Sequence, residues 1–281
     1  MPKYVIDAHR LVGPVPFDDL PQDPRPEMDR LGIERACVTH TLSLYSDPRA
    51  GNEALLTLGD PRLIPVPVVV PADPEPLPPY AGPPYAGARD AAARDAAARD
   101  AAAGNTAAGD MTARDMTAGD AALVAVQEAV AAEVAAWGVR MVRLCPERHR
   151  FDLTGPAALR LLTALALPVA IDLDETSPAQ LRHLAERLPD LRILVLNPGY
   201  RRLRALAELM AEAPRVWAEV GTVNTQGGVE WLAERFGAGR LVFGTGAPVS
   251  DDCGPRFLLD HLDLPPEDVG LIAAGSLGAL L

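Results

Sequence analysis

Lysine is almost missing from this chain: Lys3 is the only one among 26 basic residues, the rest being arginine. It stands before the first strand-like run, so no strand end offers an amine. That argues against Schiff-base chemistry and against a carboxylated lysine bridging two metals. Cysteine is scarce too. Cys37, Cys145 and Cys253 are far apart and form no C-x-x-C pair, which excludes a disulfide framework and a zinc knuckle and suits a reducing, cytoplasmic setting. Cys37 sits in an apolar run and reads as a small core residue. No apolar run approaches the ~20 residues of a membrane span. No basic stretch followed by an apolar one precedes the first strand, so no secretory signal is expected. Net positive charge is also lacking: at -12, the chain has no basis for non-specific nucleic-acid binding.

What is present is apolar and evenly spaced. Hydrophobic residues make up 48% of 281, enough to fill the core of a barrel of about 250 residues. Eight strand-like runs alternate with helical patterns: Tyr4–Ala8, Arg35–His40, Leu63–Val70, Val139–Leu144, Pro168–Asp172, Arg192–Leu196, Val216–Val220 and the run opening at Leu241. Pro65 and Pro67 are unusual in a central strand. Between the strands, Asp47-Pro48 opens a helix running to about Gly59, and Leu123–Trp137 carries apolar residues at helical spacing. Ser177-Pro178-Ala179-Gln180 is a capping box with proline at the first helical position. Helices are further expected over Tyr200–Glu212, Gly228–Phe236 and Pro266–Leu281. The pattern predicts an α/β fold, a (β/α)8 TIM barrel forming one domain over residues 1–281.

Residues 78–122 interrupt it with nine pentads: PPYAG twice, ARDAA three times, then AGNTA, AGDMT, ARDMT and AGDAA. A five-residue repeat on a helix turns by about 140° each time, so no apolar stripe persists. The segment reads as a low-complexity insertion after the third strand that buries little. A lid over the barrel mouth is the other reading, since loops after strands emerge on that face.

The residues ending the strands resemble the amidohydrolase-related family of metal-dependent hydrolases and decarboxylases. The resemblance is carried by Val5-Ile6-Asp7-Ala8-His9, Leu31-Gly32-Ile33, the run Phe236 to Thr245, and Ile272 to Leu277. It implies a metal site drawing on a first-strand D-x-H-x-H motif, histidines after strands five and six, and an aspartate after strand eight. Here Asp7 and His9 match. Leu11 stands for the second histidine, Asp172 and Asn197 for the next two, and Gly246 for the aspartate. Zinc sites need three or four N, S or O ligands. His9 and Asp172 remain as vestigial candidates, so no tightly bound metal is expected, and a loosely held divalent ion such as zinc is left open.

Other polar groups end strands. Arg143 either anchors a carboxylate or phosphate bidentately or forms a structural ion pair with Asp172 or Glu219. Glu219, Asp172 and His9 are the candidate proton-transfer groups, with Asn197 and Thr245 as candidate substrate contacts. His149 reads as a loop residue, His183 and His261 as surface. Three functions follow. One is a hydrolase or decarboxylase of a small anionic substrate working without tight metal. The second is a pseudoenzyme serving as a ligand- or partner-binding module. The third is a phosphate-binding barrel, from Gly221, Gly227, Gly228, Gly244 and Gly246 after the last two strands. The expected partner is a small anion, not nucleic acid or membrane, and a homodimer is left open.

Overall fold

The computed structural model describes residues 2, 4–72 and 118–281. Contacts divide the chain into two compact units, Met1–Pro71 with Gln127–Leu281, and Ala72–Val126. The first contains all eight described strands. The pentad insertion lies outside the described residues except for its last five.

Two parallel runs of strands make the sheet. β1 (Ile6–Val12), β2 (Arg35–His40) and β3 (Leu63–Pro65) pair in that order. β4 (Val142–Leu144), β5 (Val169–Asp172), β6 (Ile193–Leu196), β7 (Val216–Glu219) and β8 (Leu241–Val242) follow in sequence order. Both seams are bonded. Arg143 N donates to Pro67 O at 2.8 Å, and Val69 N to Arg143 O at 2.9 Å. On the other side Ala8 N donates to Phe243 O at 2.9 Å, Gly246 N to His9 O at 2.7 Å and Leu11 N to Ala247 O at 2.8 Å. The sheet thus closes into an α/β barrel of the (β/α)8 type.

Strand bounds differ from expectation where polarity or proline misleads. β1 runs to Val12, four residues beyond Ala8, and is buried throughout; its polar His9 and Arg10 had read as the end of a strand. β3 stops at Pro65, and the chain rejoins the sheet only at a bridge between Val68 and Arg143. Pro65 and Pro67 have no N–H to offer a ladder.

The helices cover the outside. α1 (Arg25–Leu31) ends on Gly32 at φ 62°, a left-handed cap. α2 (Thr41–Tyr45) was not foreseen. α3 (Pro48–Leu56), capped by the Asp47 side chain, is shorter than expected. α4 (Ala118–Ala136) starts five residues early, inside the last alanine-rich pentad, where helix propensity is high. α5 (Pro156–Leu165) buries Ala158, Leu161, Leu162 and Leu165, the i, i+3, i+4, i+7 stripe of a helix packed on one face. α6 (Pro178–Arg187) opens with the expected Ser177–Gln180 capping box. A 3-10 turn (Tyr200–Arg202) precedes α7 (Leu203–Glu212), and α8 is Gly228–Phe236. α9 (Cys253–Asp260) follows the barrel closure. The terminal segment is helical from Pro266 to Leu280 as expected, with a π-helical turn (Leu271–Gly275) between α10 (Pro266–Gly270) and α11 (Ser276–Leu280). Among the described residues no helix is long and apolar enough to cross a membrane.

Alternation along the strands builds two core layers. Val142, Leu144, Val169, Ile171, Val216 and Ala218 pack against the helices. Met141, Ala170, Leu194, Leu196 and Val242 fill the interior with Ile6, Ala8 and Cys37 from the first half. Burial raises the Cys37 thiol to about 12 and the Cys145 thiol to about 11, while Cys253 is exposed. A thiol reagent near neutral pH should therefore modify Cys253 alone in the native protein and all three cysteines in denaturant. Fast native labelling of two or more would contradict this packing.

Candidate functional site

The period of two that fills the barrel also sets its mouth. Met141 points inward, so Arg143 does too; Ala170 carries Asp172 on the same face, and Trp217 carries Glu219. In β1 a register shift falls between Asp7 and Arg10, and within it His9 meets these inward groups. The side chains form a chain of contacts. Arg143 Nη1 lies 3.0 Å from His9 Nε2, and His9 Nδ1 lies 3.1 Å from Glu219 Oε2. Arg143 Nη2 faces Asp172 Oδ2 at 3.5 Å, and Asn197 Nδ2 donates to the same oxygen at 2.6 Å. The Asn197 backbone N–H donates to Glu219 Oε2 at 3.1 Å.

A guanidinium only donates, so His9 Nε2 accepts and the imidazole proton is on Nδ1, directed at Glu219. Arg143, His9 and Glu219 are all buried. Asn197 sits at φ 47°, a left-handed turn that asparagine tolerates, and this brings its amide onto Asp172. Of the two roles open to Arg143, the ion pair with Asp172 is formed. Glu219 Oε1 and Asn197 Oδ1 are buried without a partner.

Asp7 and Thr245 have a different task. Asp7 Oδ1 accepts from His9 N at 2.9 Å and Thr245 N at 3.0 Å, and Oδ2 accepts from the Thr245 hydroxyl at 2.7 Å. Both residues are fully buried, so they staple β1 to the end of β8. The Thr245 hydroxyl, expected as a substrate contact, is bonded to Asp7 in this structure. Burial pushes the Asp7 carboxyl above the usual carboxylate range, against the opposing pull of Arg10 and Thr245.

Arg10 was missed. It is 2% exposed, and it spans Asp7 at 3.5 Å and Asp252 at 3.2 Å. Its signal was its place directly after Asp7-x-His9, visible only once β1 is known to continue. Asp252→Ala should leave this guanidinium half-paired and cost about 3 kcal/mol, as loss of one partner from a buried pair does. Urea unfolding reads it, and an unchanged midpoint would show that Arg10 finds its compensation elsewhere.

The remaining expectations divide. His149 lies in the loop after β4 and contacts Ser43 O at 3.0 Å. His183 and His261 are exposed; His261 is the residue that caps α9 rather than one within it. The glycines after β7 and β8 have packing reasons. A Cβ on Gly221 would overlap the Gly244 carbonyl oxygen, and one on Gly244 would lie 2.7 Å from Glu219 Cγ. Gly227 holds the left-handed N-cap of α8 at φ 67°, and Gly246 turns at φ 71°. Each of these four glycines thus has a packing or backbone reason of its own.

The chain matches the family model described as Amidohydrolase over residues 13–274, and it belongs to that family. No curated protein matches it in sequence. Solved structures share the fold at low identity. An uncharacterised TIM-barrel protein from Bordetella bronchiseptica is 14% identical with a TM-score of 0.64, over 99% of this chain and 98% of that one. A 5-carboxyvanillate decarboxylase from Sphingomonas paucimobilis is 12% identical with a TM-score of 0.62, over 99% and 98%. A dihydroxybenzoic acid decarboxylase from a Polaromonas species, solved with manganese and 2-nitroresorcinol, is 13% identical with a TM-score of 0.60, over 99% and 96%.

The single lone pair of His9 Nε2 is taken by Arg143. Leu11, where a histidine would be needed, is buried with Leu44, Val68 and Cys145. Among the described residues, the only three His, Cys, Asp or Glu ligand atoms within 4.8 Å of one another belong to Asp251, Asp252 and Cys253. These lie at the start of α9, where Arg10 and Arg30 already pair with Asp252.

Proposed function

We propose that this chain is an amidohydrolase-family hydrolase of a small carboxylate-bearing substrate, acting at the barrel mouth without a tightly bound metal. The observation that carries the reading is the buried line Arg143–His9–Glu219. It supplies a fixed cation, an imidazole of defined tautomer and a carboxylate behind it. Arg143 anchors the substrate anion bidentately. As the guanidinium turns onto that anion, it releases His9 Nε2. The freed lone pair takes a proton from water, and Glu219 holds the Nδ1–H and stabilises the imidazolium. Asp172, held in turn by Asn197 Nδ2, faces the guanidinium from the other side.

Decarboxylation of the same substrate class is the second reading. It is favoured by the aromatic-acid decarboxylases among the structural relatives. There Arg143 would hold the leaving carboxylate, and protonated His9 would deliver the proton that replaces it. A pseudoenzyme that binds the anion without turning it over is the third.

A panel of hydroxybenzoates and carboxylate-bearing lactones, offered to chelator-treated protein, tests all three. Hydrolysis or CO2 release whose KM rises in Arg143→Met supports the respective enzyme. Saturable binding without turnover identifies the pseudoenzyme. Turnover that requires added manganese overturns the metal-free reading.

A further inference from the structure

We infer that the Arg143 guanidinium is a built-in cation standing in the place of the metal ion, and that it, more than the missing ligands, keeps metal out. This rests on the metal-free reading above and deepens it. The two candidate ligands that survive in the sequence are His9 and Asp172. Both are turned onto the same guanidinium: His9 Nε2 lies 3.0 Å from Nη1, and Asp172 Oδ2 lies 3.5 Å from Nη2. An imidazole nitrogen has one lone pair, so Nε2 either accepts from Arg143 or binds an ion about 2 Å away. It cannot do both. Arg143 is anchored by strand pairing, its backbone donating to Pro67 O and accepting from Val69 N, and its side chain is 5% exposed. The cation is therefore held against these two ligands unless a substrate anion draws it away.

Taking Arg143 away frees the His9 nitrogen and the Asp172 carboxylate. Asn197 Oδ1 is a third donor, buried and without a partner, on the side chain whose Nδ2 already touches Asp172. Position 246 faces the same place, since a Cβ there would lie 3.5 Å from Asn197 Oδ1. The vacated space thus has two freed donors, His9 Nε2 and Asp172 Oδ2, and the neighbouring Asn197 side chain carries the third that a transition-metal site requires.

The test is zinc and manganese binding, by calorimetry and by metal content after dialysis, on four proteins. The natural chain and Arg143→Lys should hold no chelator-resistant metal. Arg143→Met should bind zinc at least tenfold more tightly than the natural chain, roughly one pK unit in Kd. Adding His9→Asn to Arg143→Met should return it to the natural level. Stoichiometric, chelator-resistant metal in the natural chain would overturn the metal-free reading itself. Failure of folded Arg143→Met to gain affinity, with the natural chain metal-free, would overturn only the role of Arg143. So would equal gain in Arg143→Lys, because the charge would then not be the excluding feature. Nitrogen NMR of the natural protein tests the same point without a variant. His9 should show the Nδ1–H tautomer, unmoved by added zinc, and a zinc-dependent shift of Nε2 would overturn the inference.

Discussion

Gly221→Ala is expected to melt about 10 °C below the natural chain, a loss of roughly 3 kcal/mol at the upper end of what overpacking usually costs. The added methyl has nowhere to go. It would overlap the Gly244 carbonyl oxygen, a backbone atom that cannot swing aside as a side-chain tip does. Gly244 cannot retreat either, because its own Cα faces Glu219, whose Cγ and Cδ lie 2.7 and 2.9 Å from a Cβ built there. Glu219 in turn is held by His9 and the Asn197 backbone. The ends of β7 and β8 and the buried line at the mouth are therefore one packing unit. Gly278→Ala is the control: it lies in α11 with nothing near the new methyl, and should be neutral or stabilising by roughly 0.5–1 kcal/mol. If Gly221→Ala melts with the natural chain, the two strand ends are further apart than this packing requires.

That coupling also explains which parts of the site could be read from the sequence. Arg143, Asp172 and Glu219 were legible because each is a polar residue at or one place before the end of an apolar run. A period of two then places it above an inward apolar neighbour, Met141, Ala170 or Trp217. The barrel itself was legible for the same reason, repeated eight times. Pairings across the barrel were not. Nothing local says that His9 bonds Glu219 210 residues away, or that Thr245 turns to Asp7 and not to the mouth. Arg10 was invisible because its burial depends on β1 continuing past His9, against the local polarity. The glycines were legible as glycines, but their cause is a carboxylate and a carbonyl packed behind them, which only the closed sheet brings near.

His9→Gln is expected to lower kcat/KM by about 10²–10⁴ on any substrate the chain turns over, the usual worth of a positioned acid–base group. The fall should be in kcat. His9 is 4% exposed and bonded to Arg143, and the proposed anchor for the anion is the guanidinium, so KM should change little. Arg143→Met should show the opposite split, with KM rising because the charge-assisted pair to the substrate is lost. Glutamine at position 9 keeps a donor that can reach Glu219, so the buried carboxylate is not stranded and circular dichroism should match the natural chain. A structural role for His9 would lower thermal stability and leave the kcat of the folded fraction intact. A catalytic role does the reverse. Steady-state kinetics on correctly folded variants separates the two. Full kcat in His9→Gln would remove the imidazole from the chemistry and leave Asp172, next to Arg143 and Asn197 at the same mouth, as the group to test next.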